Sequence, residues 1–146
     1  MSYEQELLAY FQFLSSAHLA TGTVLLIKPH PRDDFQKIRQ LQEQLSGLFA
    51  KIIVLSEPEL FFLPFEVFFM KAFMSFDVLP QSEVCPIQVF AVSSACLSLR
   101  LLFKVPSIIG FGKNITSKSF YKDYIEGRLE HERILTNAIG AMSQVI

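Results

Sequence analysis

The residues best suited to chemistry in this chain fall in three places: Lys28-Pro29-His30-Pro31, Glu66, and the pair Ser93-Ser94. An imidazole titrates near physiological pH, so His30 is able to donate to a phosphate oxygen as negative charge develops there. Proline on both sides restricts the backbone that presents that ring. Lys28 could neutralise charge or meet a base carbonyl. Glu66, an acceptor when ionised, suits the paired hydroxyls of a ribose. Two serines at a helix start add hydroxyl donors to the free N–H groups and dipole that favour an anion. Each residue also has a structural reading: the Ser pair as a helix cap, Glu66 as a complement to the dipole, and Lys28 as a solvated charge.

For such residues to act on one ligand, the chain must deliver them to one edge, and its periodicity predicts how. Leu7, Leu8, Phe11 and Leu14 give a helix over 4–20, with Gly22 as a stop. Residues 23–27, apolar and β-branched, read as a strand buried on both faces. Asp33 and Asp34 are candidate N-caps for a helix carrying Phe35, Ile38, Leu41, Leu45 and Leu48, ending near Gly47. Further strands are expected at 51–55, 87–92 and 107–109. A third helix starts near Pro64, a fourth runs from Ser93-Ser94 to about Phe103, and a last one covers about 124–142. Gly110-Phe111-Gly112 reads as a turn that does not open a helix directly. Alternating strands and helices predict an α/β fold, a doubly wound parallel sheet of Rossmann-like type. Ligands of such sheets bind beyond the carboxyl ends of the strands, where Lys28, His30, Ser93 and Ser94 fall, with Glu66 near the same rim.

Composition narrows the class. With 13 Lys+Arg against 14 Asp+Glu the formal charge is −1, which lacks the basic footprint of a nucleic-acid binder. At 51% hydrophobic and 18% charged residues the chain is not disordered, and its length suits a single domain spanning 1–146. The most apolar run, Leu60 to Phe76, is interrupted by Pro64, Glu66, Lys71 and Ser75, so no transmembrane segment is expected. Cys85 and Cys96 lack CxxC spacing and nearby His ligands, and read as buried free thiols in a reducing compartment. No metal and no cofactor is expected. The acidic start, Ser2 to Glu6, is unlike a signal peptide, so the location is read as cytoplasmic, open to peripheral attachment at the inner membrane.

The order Lys28-Pro29-His30-Pro31-Arg32, Pro64-Phe65-Glu66-Val67 and Ser93-Ser94 resembles the bacterial sialyltransferases of GT-B architecture, including capsule polysialyltransferases and lipooligosaccharide sialyltransferases. Their nucleotide-binding half carries an HP motif, a downstream Glu and an SS motif in this order, and the likeness covers roughly Thr23 to Gly112. The resemblance implies CMP-sialic acid, or another cytidine nucleotide sugar, as donor, with inverting transfer to a cell-surface glycan. It gives His30 the catalytic role of assisting departure of the CMP phosphate. Lys28, His30, Pro31, Glu66, Ser93 and Ser94 would bind the donor, with the Ser pair on the phosphate, Glu66 on the ribose and Lys28 on the cytosine side.

The family's Asp general base stands in an N-terminal acceptor-binding half, farther ahead of the HP motif than the 29 residues that precede His30. Asp33, Asp34, Asp77 and Asp123 are not in the corresponding place. The acceptor glycan is therefore expected to reach the chain through a separate domain or partner chain. The third helix, with Phe65, Val67, Phe68, Phe69, Met70, Phe73, Met74 and Phe76, is apolar almost all round. It needs cover from another chain, a second copy included, or from residues 76–86 folding back. Two other readings stay open. Transferases that use CDP-glycerol or CMP-Kdo share the His-Pro turn and hydroxyl pair, and a non-catalytic interaction module could retain the same fold.

Overall fold

Four strands and seven α-helices alternate through the residues that the computed structural model describes, which are 2–20, 22–74, 87–91 and 93–143. The chain is thus mixed α/β, and its strands pair in parallel. They do so as two separate two-stranded sheets, β1 with β2 and β3 with β4, rather than as one continuous sheet among the described residues. Two compact units result. One contains residues up to Leu63 together with Asn114–Tyr121, and the other contains Pro64–Lys113 and the residues from Lys122 onward.

In the first unit, α1 (Tyr3–Ser16) begins at a reciprocal cap. The Ser2 hydroxyl accepts the Gln5 N–H at 3.3 Å, and Gln5 Oε1 accepts the Ser2 N–H at 2.8 Å. The helix stops short of Ala20, where periodicity alone would carry it. Ser15 and Ser16 donate back to the carbonyls of Phe11 and Phe13, and His18 turns into left-handed backbone at φ 48°. Buried Leu7, Ala9, Phe13 and Leu14 mark its inner face, and α1 packs against α2 (Phe35–Leu45). Asp34 caps α2 by accepting the Gln36 N–H at 2.8 Å, while Ile38, Leu41 and Leu45 are buried at helical spacing. Phe35, expected on that apolar face, is 58% exposed and stacks on Phe61 instead.

Strand β1 (Val24–Ile27) pairs with β2 (Lys51–Val54) in register Val24 to Lys51, and the Leu55 N–H reaches the Ile27 carbonyl at 2.9 Å. Burial of β1 on both faces is not observed: Val24 is 53% exposed and the other three residues are half-buried. A short helix, α3 (Pro58–Phe61), follows β2 and ends in buried Phe61.

The second unit opens at Pro64, the N-cap of α4 (Phe65–Phe69), which continues as a π-helical turn over Met70–Met74. Strand β3 (Val89–Ala91) pairs with β4 (Ser107–Ile109). Between them α5 (Ala95–Phe103) ends on Lys104 in left-handed backbone, φ 55°. Buried Phe69, Val89, Cys96, Leu99 and Val105 form the core, with Phe65, Phe73, Ile109 and Ile139 packed against it. Along α4 and into the π-helical turn, Phe68 and Phe69 are buried whereas Val67 and Met70 stay exposed, so this segment packs by one face. The fold-back considered for 76–86 falls outside the described residues, as does Cys85.

Contrary to the sequence expectation, Gly112 does open a helix, α6 (Gly112–Ser119). The last helix, α7 (Lys122–Ser143), starts two residues earlier than periodicity suggests. Among the described residues no helix is long and apolar enough to cross a membrane.

Candidate functional site

The residues expected to act together lie in two sets, Lys28, His30 and Pro31 in the first unit and Glu66, Ser93 and Ser94 in the second. The first set follows the carboxyl end of β1. Pro31 occupies the second position of a β-turn over 30–33, where its fixed φ is favourable, and the Asp33 N–H closes the turn on the His30 carbonyl at 2.9 Å. Asp33 Oδ2 in turn accepts the His30 N–H at 2.7 Å. The ring is exposed, and its Nδ1 accepts the Arg32 N–H at 3.1 Å. A neutral imidazole with Nδ1 as acceptor carries its proton on Nε2, which is then its hydrogen-bond donor.

Lys28 is half-buried, and its ammonium donates to the Phe61 carbonyl at 3.0 Å. Burial lowers its pKa below the ordinary lysine value. Its role is therefore partly structural, tying the turn after β1 to α3, with two of the three ammonium donors left over.

In the second unit, Glu66 lies half-buried in the first turn of α4. Ser93 and Ser94 are both exposed at the start of α5. They do different things. The Ser93 hydroxyl accepts the Ala95 N–H at 3.2 Å, and the Ser93 carbonyl accepts the Cys96 N–H at 3.2 Å. Ser94 holds the N-cap position in helical backbone, and its side chain makes no cap bond. The Leu97 N–H goes to the Ser94 carbonyl at 2.9 Å. Since the first N–H groups of α5 are accepted inside their own turn, an anion here would be met by the Ser93 and Ser94 hydroxyls and the helix dipole. Cys96, one turn in, is a buried free thiol. Burial pushes its pKa up, hydrogen bonding to Ser107 and to the Ser93 backbone opposes this, and the nearby Glu66 charge adds to the rise. Helices α4 and α5 pack together, with the Glu66 charge near enough to Cys96 to act on its thiol.

Sequence reasoning missed the roles of three residues. Asp33 and Asp34 are both candidate N-caps, but Asp34 is the cap and Asp33 closes the turn. Lys37 of α2 holds Asp33 Oδ1 and also pairs with Glu6 of α1 at 2.9 Å. Glu132 of α7, only 6% exposed, accepts the Phe111 N–H at 3.0 Å and the Gly112 N–H at 3.1 Å, with Arg128 at 3.8 Å. A signal for Glu132 was present: Ile125, Leu129, Glu132, Leu135 and Ile139 share helical spacing, which places a carboxylate on an otherwise apolar stripe. No family model, curated protein or solved structure matches this chain.

Proposed function

We propose that this chain binds a cytidine nucleotide sugar, CMP-sialic acid, as the donor-binding part of a sialyltransferase-like glycosyltransferase. In this reading its strands belong to a doubly wound, Rossmann-like layer, one half of a GT-B enzyme. Alternation of strand and helix with parallel pairing supports that fold. The observation that carries the function is the exposed His30 beyond the carboxyl end of β1, whose Nδ1 accepts the Arg32 N–H at 3.1 Å and so leaves Nε2 as the donor of the neutral ring.

In the transfer, the acceptor hydroxyl oxygen attacks the anomeric carbon of the donor sugar while the bond from that carbon to the phosphate oxygen breaks. Negative charge grows on the departing CMP, and the His30 Nε2–H stabilises it by donating to a phosphate oxygen. Lys28 serves the cytosine side with its remaining donors. The phosphate and ribose roles that the resemblance implies for Ser93, Ser94 and Glu66 fall to residues of the second unit. The proton of the acceptor hydroxyl passes to a base on the acceptor-binding part, outside these residues.

Calorimetric titration with CMP, and with UMP and AMP as controls, tests the reading. CMP should bind in preference, and His30→Ala should weaken it about tenfold, the worth of one hydrogen bond to a charged partner. Equal binding of the three nucleotides, or an unchanged affinity in His30→Ala, would overturn it. Tighter binding of CDP-glycerol than of CMP-sialic acid would keep the cytidine and replace the transferred group.

A further inference from the structure

We propose that Asp33 is the positioning residue for His30: braced by Lys37, its carboxylate closes the turn that holds the imidazole as an Nε2–H donor. The inference rests on the donor-binding reading of His30, and it concerns a residue to which that reading assigns nothing.

The geometry leaves the turn little freedom. Pro29 and Pro31 have no N–H, so the His30 N–H is the one backbone donor between them. Asp33 Oδ2 takes it at 2.7 Å, and the Asp33 N–H returns a bond to the His30 carbonyl at 2.9 Å. This reciprocal pair fixes both ends of the turn, and Pro31 presets its middle. The Arg32 N–H is thereby aimed at His30 Nδ1, at 3.1 Å. As long as that N–H points at Nδ1, a proton on Nδ1 would face another proton, so the neutral ring keeps its own on Nε2.

Asp33 does this because its carboxylate is itself held. Its two oxygens have separate partners, Oδ2 on the His30 N–H and Oδ1 on the Lys37 ammonium. Lys37 is 12% exposed and is anchored on its other side by Glu6 Oε1 at 2.9 Å, which ties the turn to both α1 and α2. Rotating the carboxylate to face solvent would break both bonds at once. An exposed ring thus stands on a part-buried ionic base, an arrangement that keeps one donor fixed in water where a free side chain would sample several rotamers.

The test has two readouts. In ligand-free protein at about pH 8, where an ordinary imidazole is neutral, nitrogen NMR of the His30 ring should show Nδ1 unprotonated and Nε2 protonated. Asp33→Ala should bring the two nitrogen shifts together as the tautomers mix. Asp33→Asn, whose amide oxygen still accepts the His30 N–H, should keep them apart. A mixed ring in the unaltered protein, or shifts that Asp33→Ala leaves unchanged, would overturn the proposal. The second readout is CMP affinity. Asp33→Ala should weaken it several-fold in the unaltered background and not at all in His30→Ala, because Asp33 acts only through that ring. Equal losses in both backgrounds would also overturn it. Should CMP fail to bind the unaltered chain, the donor reading falls, while the ring nitrogens still decide whether Asp33 positions His30.

Discussion

Two turns that follow parallel strands are closed by the same device, a carboxylate accepting backbone N–H groups, and yet they end in opposite states. After β1, Asp33 reaches back three residues to the His30 N–H, and the turn presents an exposed ring. After β4, Glu132 reaches the Phe111 and Gly112 N–H groups from α7, and Gly110, Phe111 and Glu132 itself are all buried. The difference is one of sequence distance and burial. A local carboxylate shapes a turn without covering it, whereas one delivered by a packed helix both satisfies the turn and seals it. The first arrangement suits a ligand contact, and the second joins a strand end to the last helix.

The sealed turn should be the costlier one to break. Glu132→Ala leaves two backbone donors without their charged acceptor, and unfolding in denaturant should show a loss of about 3 kcal/mol. Gly110→Ala tests the same grip from the other side. Gly110 has φ 75°, and a Cβ there would overlap the Glu132 side chain. The substitution should cost as much as Glu132→Ala in the unaltered protein. In the Glu132→Ala background it should cost only the about 1–2 kcal/mol of left-handed strain. Additive losses would mean that the two residues do not share one contact. The open turn should give less: Asp33→Ala should lower stability by about 1 kcal/mol, since water replaces much of what is lost at an exposed turn. A loss equal to that of Glu132→Ala would erase the distinction.

The two turns also differ in how far the sequence revealed them. A turn at residues 28–31 was readable because two prolines forbid continued regular pairing, and the position of the ring beyond β1 followed from the apolar run before it. What stayed hidden was the division of labour between Asp33 and Asp34. Both are good caps, and only the Asp33 bond to the His30 N–H tells them apart. Glu132 was harder, because its partners lie 20 and 21 residues away and α7 is rich in acidic residues. The helix after Gly112 was missed for the same reason: Glu132 satisfies its first N–H, so the sequence carries no local cap to announce it. Parallel pairing was legible from strand–helix alternation. Its confinement to two short pairs was not, since periodicity reports which face is apolar and not how many strands assemble.

The smallest expected effect concerns the ionic base of the open turn, and pH isolates it. Burial alone would lower the Lys37 pKa, but its hydrogen bonds to Asp33 and Glu6 and their charges outweigh burial and raise it. A raised folded-state value means that the native state holds the proton more tightly than the unfolded chain does. The stabilisation is therefore complete below the ordinary lysine value, about 10.4, and is lost as pH rises through the higher folded value. Lys28 behaves oppositely. Burial lowers its pKa, so the native state releases that proton early and gains stability as pH climbs toward the ordinary value. Stability measured from pH 8 to 11 in the unaltered protein contains both trends, and Lys37→Met removes only the first. The unaltered protein should lead the variant by about 1 kcal/mol or less at pH 8, given the partly exposed carboxylates, and the lead should shrink as pH approaches 11. A lead that stays constant across this range would show that Lys37 contributes packing of its aliphatic stem rather than charge, and the open turn would then rest on Asp33 without its ionic brace.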